Sequence, residues 1–100
     1  MGLGFTIRYH PKVVKDDITA LSQALKVRMR KAIEAKLAVA PEKFGKPLRQ
    51  SLRGYRKLRV GDHRIIFRID ANTVFILAIL HRSVVYKRTD TRTEEKYLST

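Results

Sequence analysis

The chain has 100 residues, a hydrophobic fraction of 44%, no cysteine and a formal net charge of +13. This length and this hydrophobic content predict one folded domain, residues 1–100, and exclude an intrinsically disordered chain. The lack of cysteine excludes disulfides and thiolate metal sites. The positive charge indicates an anionic partner, namely nucleic acid, an acidic protein or an anionic membrane, with a charge kept only for solubility as the alternative.

The apolar runs of the chain are too short to cross a bilayer. The longest, Val74 to Leu80, is far below the ~20 residues that a membrane span needs, and it is typical of a buried strand. No signal peptide is recognisable in the first ten residues. We therefore expect a cytoplasmic protein that makes no membrane contact.

The first part of the chain predicts a strand followed by two helices. Apolar and polar residues alternate over residues 5–9, which favours a strand. Pro11 suits the first turn of a helix, and Ser22 suits the cap of a second helix. Pro41 is expected to end that second helix, because proline removes a backbone donor. Two helices with a short connection predict an antiparallel helical hairpin.

The second part of the chain predicts three strands in a meander. After a loop over residues 42–51, the strands are Tyr55–Val60, His63–Ile69 and Thr73–His81, and the pairs Gly61-Asp62 and Ala71-Asn72 fit two-residue turns. Residues 87–100 form either a short helix or a mobile tail. The predicted fold class is α+β: a small antiparallel sheet, made of the N-terminal strand and the three-strand C-terminal meander, with the two-helix hairpin packed on one face.

Positive charge gathers on one face of the predicted hairpin at residues 55–68. With a two-residue turn, Arg59 lies directly opposite Arg64, and Lys57 shares their face, unless the register slips by one residue. Residues 46–68 contain eight Lys or Arg and one acidic residue, Asp62. Like charges opposite each other are destabilising, so we expect a phosphate backbone to neutralise them, since arginine matches phosphate oxygens with its planar fork. The further basic residues expected to bind RNA are Lys46, Arg53, Arg56 and Arg68.

The composition of this region favours RNA cleavage without a metal or cofactor. Carboxylates are sparse, and no pair of histidines has the spacing of metal ligands. RNA supplies its own nucleophile, because its 2′-OH can attack the adjacent phosphate if the protein moves protons and stabilises the crowded phosphorane. His81 is the residue type suited to proton transfer at neutral pH, with a strand-end residue of no special role as the alternative. His63 is expected to face inward as a structural residue.

Two motifs of the chain resemble a known family. Residues 55–67, YRKLRVGDHRIIF, and residues 81–86, HRSVVY, resemble the RelE toxins of bacterial toxin–antitoxin systems, within the wider RelE/ParE superfamily. The resemblance covers most of the chain. It implies a ribosome-dependent endoribonuclease that cleaves mRNA in the ribosomal A site.

The resemblance also implies roles for individual residues. The catalytic set would consist of the basic residues of the hairpin with a late arginine and a late tyrosine, namely Lys57, Arg59, Arg64, Arg82 and Tyr86. Arg64 would clamp a phosphate, and Arg49 would approach the substrate. Lys57 or Tyr86 is the candidate base, and Arg82 or His81 is the candidate acid.

The partners follow from the same resemblance. They are mRNA with the surrounding 16S rRNA, a cognate acidic antitoxin attracted by the charge of this chain, and operator DNA contacted only through the antitoxin complex. Two alternatives remain open: a ParE-type toxin that inhibits DNA gyrase without catalysis, and a basic nucleic-acid-binding module. The presence of Arg82 and Tyr86 together with the basic hairpin favours the nuclease.

Overall fold

The computed structural model describes residues 4–98, with the side chains of residues 4–93. Strand β1 (Thr6–Tyr9) leads into a π-helical segment (Val13–Asp17), and α1 (Gln23–Ala32) continues into a second π-helical segment (Ile33–Leu37). Next come α2 (Pro41–Phe44), β2 (Lys46–Pro47) and a 3₁₀ turn (Gln50–Leu52). Strands β3 (Arg56–Val60), β4 (His63–Asp70) and β5 (Thr73–His81) precede α3 (Val85–Leu98).

The strands form one five-stranded sheet in the order β1-β5-β4-β3-β2. The α+β class is confirmed, and so is the β3–β4–β5 meander with its two-residue turns at residues 61–62 and 71–72. The sheet is mixed rather than antiparallel, because β1 pairs in parallel with β5. The expected loop over residues 42–51 is wrong in part, since it contains α2, β2 and the 3₁₀ turn. Pro47 suits β2, because an edge strand tolerates a missing N–H.

The helix boundaries follow local sequence signals. Helix begins at Pro11, and the Ser22 side chain caps α1 by accepting from the Leu25 N–H at 3.2 Å. Pro41 does not end the second helix, which stops at Leu37; it starts the short helix α2 instead, at a position where proline costs no hydrogen bond. The alternative between helix and tail after residue 87 is decided in favour of a helix through Leu98, and residues 99–100 lie outside the described part.

Both faces of the sheet are covered. On one face the helical hairpin, residues 11–37, packs on a core that includes Leu37, Ile65 and Phe67, all of which are fully buried. On the other face α3 packs through Val85 on Ile66, Leu77, Ala78 and Leu80. Helices therefore occupy two faces rather than one. The register shift between Ile66 and Phe67 leaves Leu77 as an extra residue of β5, so that Leu77 and Ala78 both belong to the core beneath α3.

A buried ion pair fastens α3 to the edge of β5. Strand β1 covers this edge only as far as Ile76. Beyond that point Asp17 accepts from the Ile79 N–H at 2.9 Å, and Arg92 donates to the Leu77 carbonyl at 3.0 Å. The two side chains also join each other through two contacts of 2.6 Å. They thus satisfy backbone groups that β1 leaves uncovered, and they fix α3 against the sheet.

Candidate nucleic-acid interface

The register of the hairpin is the predicted one. Val60 pairs with His63, Arg59 with Arg64 and Lys57 with Ile66. Strand β2 adds a second like-charge pair, because Lys46 lies opposite Lys57. Cross-strand partners share a face, so one face carries four cations. We call Lys46, Lys57, Arg59 and Arg64 the basic face.

Helix α3 brings Tyr86 to the basic face. The Lys57 ammonium donates to the Tyr86 hydroxyl at 3.0 Å, and it lies 5.7 Å from the centroid of the tyrosine ring. Tyr86 is 42% exposed, so its hydroxyl is accessible to a ligand. Val85, the adjacent residue, is fully buried beneath α3 and fixes the first turn of the helix. The structure therefore places a phenol and an ammonium in direct contact, 29 residues apart in the chain.

Two arginines flank the Gly61-Asp62 turn. Arg64 Nη1 donates to the carbonyls of Gly61 at 3.1 Å and His63 at 2.9 Å. The Arg82 N–H donates to the Asp62 carbonyl at 2.8 Å, which holds the residue beside the same turn. The Arg82 side chain lies 4.0 Å from the Asp62 carboxylate, and both are well exposed. Exposed pairs of this kind contribute at most about 1 kcal/mol, so Arg82 can turn to an incoming phosphate.

A cleft of about 300 Å³ opens along the basic face. Strand β2 covers only Arg56 and Lys57 of β3, so the edge of β3 from Leu58 onwards is without a strand partner in the described part of the chain. The cleft lies at this edge. The residues lining it are Phe44, Lys46, Lys57, Leu58, Arg59 and Arg64.

Two predicted site residues lie on the opposite face of the sheet. His81 pairs with His63, and His63 pairs with Val60, which belongs to the core beneath the helical hairpin. These residues therefore point away from Arg59 and Arg64, which lie on the face of α3. The structure thus does not bring His81 to the basic face. Arg56 pairs with Phe67 on the same face, beneath the helical hairpin, and its Nη1 donates a hydrogen bond to the Gly45 carbonyl at 3.1 Å. Arg56 therefore fixes the junction between α2 and β2.

The other predicted RNA-binding residues, Arg49, Arg53 and Arg68, do not line the cleft. Arg49 and Arg53 are exposed on either side of the 3₁₀ turn, which Ser51 joins to α3 through a hydrogen bond of 2.7 Å to Asp90. Arg68 shares the face of Arg64, four residues further along β4, or about 13 Å at the usual rise of a strand. Its guanidinium lies 5.0 Å from the centroid of the Phe75 ring. Arg68 is thus separated from the cleft.

Sequence reasoning missed one residue of the cleft and two residues that hold α3 against the sheet. Phe44 lines the cleft, and Asp17 and Arg92 form the buried pair behind α3. The signal for Arg92 was its helical spacing from Val85 and Thr89, which are both fully buried. Among the described residues, no three His, Cys, Asp or Glu side chains come together to hold a metal. No described helix is long and apolar enough to span a membrane.

His63 gives the stability of the hairpin a dependence on pH. Its ring lies 5.5 Å from the ring of His81 between centroids. Burial lowers the pKa of His63 below its usual value, the charges of His81 and Arg64 lower it further, and Asp62 opposes them. Below about pH 6.5 the unfolded chain thus binds more protons at this site than the folded chain. The contribution of His63 to stability is full above this pH and declines as the pH falls toward the lowered pKa.

We therefore expect the free energy of unfolding to decrease modestly between pH 7.5 and pH 5. Urea unfolding at both values measures the change, and His63→Gln provides the comparison because it cannot titrate. Part of the decrease should disappear in His63→Gln. An identical decrease in the two proteins would contradict the role of His63.

The fold and its basic face define a small basic α+β protein built around a β-hairpin. Residues 7–86 match the family model described as ParE toxin of type II toxin–antitoxin system, parDE. Over 79% of the chain, the structure resembles the toxin–antitoxin complex RelBE2 of Mycobacterium tuberculosis, with a TM-score of 0.73, 31% identity and coverage of 99% of the matched chain. The protein belongs to the family of ParE toxins of type II toxin–antitoxin systems, within the RelE/ParE superfamily.

Two curated relatives match over shorter stretches. Toxin RelG of Mycobacterium tuberculosis is 43% identical over 54 residues, which span 52% of this chain and 62% of the relative. Toxin RelE of the same organism is 41% identical over 49 residues, which span 47% of this chain and 50% of the relative. The chain thus spans about half to three-fifths of the curated relatives it matches.

Proposed function

We propose that this toxin is a metal-independent endoribonuclease that cleaves mRNA in the ribosomal A site. The observation that carries the proposal is the direct contact between Lys57 and Tyr86 at the border of a cleft lined by cations. A phosphate in the cleft would be neutralised by the basic face, which relieves the repulsion between the paired cations. The Tyr86 phenol and the Lys57 amino group would then lie beside the phosphate, where the reaction requires proton transfer.

The reaction follows from groups at this site. The 2′-OH of the RNA attacks the adjacent phosphorus and loses its proton to the member of the Lys57–Tyr86 pair that is deprotonated in the reacting state, the neutral amine or the phenolate. Arg59 and Arg64 stabilise the charge of the phosphorane. The Arg82 guanidinium, beside the turn, donates a proton to the departing 5′ oxygen. The bond to that oxygen breaks as the bond to the 2′ oxygen forms. The products are a 2′,3′-cyclic phosphate and a 5′-hydroxyl.

Mapping of mRNA ends on translating ribosomes tests this function. Primer extension should reveal cleavage in phase with codons, and Arg64→Ala and Arg82→Ala should each lower the cleavage rate by about 10²- to 10³-fold, the loss typical of a removed transition-state donor. Arg8→Ala is a matched control, because Arg8 is an exposed arginine of β1, which forms the edge of the sheet opposite to β2. Thermal unfolding of each variant verifies its fold, since Arg64 also bonds the turn. Unchanged cleavage in both variants would overturn the site assignment.

A ParE-type activity, inhibition of DNA gyrase without catalysis, is the second candidate. It is favoured by the family model, which is that of a ParE toxin. The same experiment separates the two functions. Toxicity with intact mRNA and broken, gyrase-linked DNA would establish this second function and contradict the nuclease. Intact mRNA and DNA, with retained affinity for polynucleotides, would indicate a plain nucleic-acid-binding module.

We further propose that a cognate acidic antitoxin binds this chain in the cytoplasm. The matched Mycobacterium structure is a toxin–antitoxin complex, and a net charge of +13 favours rapid encounter with an acidic partner. Operator DNA would be contacted through that complex. Contacts to 16S rRNA would use the remaining exposed arginines, including Arg49 and Arg53.

A further inference from the structure

An aromatic ring lies at the border of the cleft on the basic face. Phe44, the last residue of α2, is 42% exposed and lines the cleft with Lys46 and Lys57. The ammonium of Lys36 lies 5.7 Å from the centroid of the phenylalanine ring, and the exposed part of the ring is available to a further partner. The helical hairpin does not bury this ring, although it buries the larger part of its apolar residues in the core. Phe44 is thus an exposed aromatic beside cations.

The backbone around Phe44 is held in place on both sides. Pro41, at the start of α2, is buried. Gly45 packs so closely on the sheet that a Cβ there would lie 2.9 Å from Cε1 of Phe67 and 3.0 Å from the Cβ of Arg56. The carbonyl of Gly45 also accepts the hydrogen bond from Arg56. The ring of Phe44 is therefore presented by a fixed backbone rather than by a free loop.

We propose that Phe44 is the stacking platform of a nucleobase subsite for single-stranded RNA. The four cations of the basic face would hold the phosphates, and the base of a neighbouring nucleotide would stack on the exposed part of the Phe44 ring. An exposed aromatic next to a cationic groove is the combination by which proteins bind single strands, because every base has a π face. The inference rests on the proposed function in that RNA is the ligand, and it adds the residue that would recognise a base.

The proposal predicts that affinity depends on the bases and not only on the phosphates. The probe is a 2′-O-methyl adenosine hexamer, which the 2′-OH chemistry cannot cleave, and its counterpart is a hexamer of abasic residues with the same number of phosphates. Phe44→Ala should weaken binding of the adenosine hexamer by about 5- to 100-fold, the range typical of one base–aromatic contact. It should leave binding of the abasic hexamer unchanged. Fluorescence anisotropy measures both affinities.

Matched variants separate stacking from packing and from charge. Phe44→Tyr should retain the affinity, whereas Phe44→Leu, which keeps an apolar contact with α2, should lose it. Val39→Ala is the control, because Val39 is an exposed apolar residue that does not line the cleft. Lys46→Ala should reduce the slope of log affinity against log salt by about 0.7, while Phe44→Ala should leave the slope unchanged.

The outcomes are distinguishable from those of the cleavage assay, because binding is measured with an RNA that cannot react. Equal losses for the adenosine and abasic hexamers, or full affinity in Phe44→Leu, would overturn the base subsite and leave the nuclease standing. Absence of mRNA cleavage together with base-dependent binding through Phe44 would overturn the nuclease and retain the subsite.

Discussion

Replacing Asp17 by alanine is expected to cost about 3–5 kcal/mol of stability, the loss typical of one partner removed from a buried ion pair. The carboxylate side chain is 1% exposed and that of Arg92 is 5% exposed. Without Asp17 the guanidinium would remain buried without its counter-charge, and the Ile79 N–H would lose its acceptor. Because a small domain has about 5–15 kcal/mol of stability in total, this single change should bring the protein close to unfolding. Urea unfolding followed by circular dichroism measures the loss.

The adjacent acidic residue provides the control for this prediction. Asp16→Ala also removes one negative charge from the same segment, but Asp16 is exposed, so its effect should be below about 0.5 kcal/mol. The double variant Asp17→Leu/Arg92→Met should recover part of the loss, since no unpaired charge is then buried. Equal stability of the Asp17→Ala and Asp16→Ala proteins would show that the pair does not hold α3 in solution.

The sequence was sufficient for the hairpin because its determinants are local. A two-residue turn fixes the register, and alternation then assigns every side chain to a face. Arg59 opposite Arg64 was predicted in this way and is confirmed. The face of His81 could not be predicted in the same way, because the sequence does not show how β5 is aligned with β4. The observed alignment pairs His81 with His63 and so places it on the face beneath the helical hairpin.

The parts that could not be predicted depend on contacts between distant segments. The Asp17–Arg92 pair joins residues 75 positions apart, and neither residue differs by type from the many exposed charges of the chain. The parallel pairing of β1 with β5 likewise depends on how the helical hairpin returns the chain across the sheet. Phe44 was missed because α2 and β2 are too short to show a period. Its place in the cleft depends on Gly45 packing against Phe67.

Removing either member of the Lys57–Tyr86 pair is expected to lower mRNA cleavage by about 10²- to 10⁴-fold, the usual contribution of a positioned proton-transfer group. Lys57→Ala and Tyr86→Phe are the informative changes. Tyr86→Phe removes only the hydroxyl that accepts the hydrogen bond from Lys57, so the packing of α3 should be preserved. Single-turnover cleavage on programmed ribosomes measures the rates.

The double variant decides whether the two residues act together. Groups in contact that serve one step are strongly non-additive, so Lys57→Ala/Tyr86→Phe should be little slower than the slower single variant. Lys87→Ala controls for charge, because Lys87 is an exposed lysine adjacent to Tyr86 that does not line the cleft. Losses that multiply in the double variant would mean that Lys57 binds phosphate while Tyr86 works alone. The proton-transfer role would then belong to the phenol, and the hydrogen bond of 3.0 Å between the two side chains would serve only to orient it.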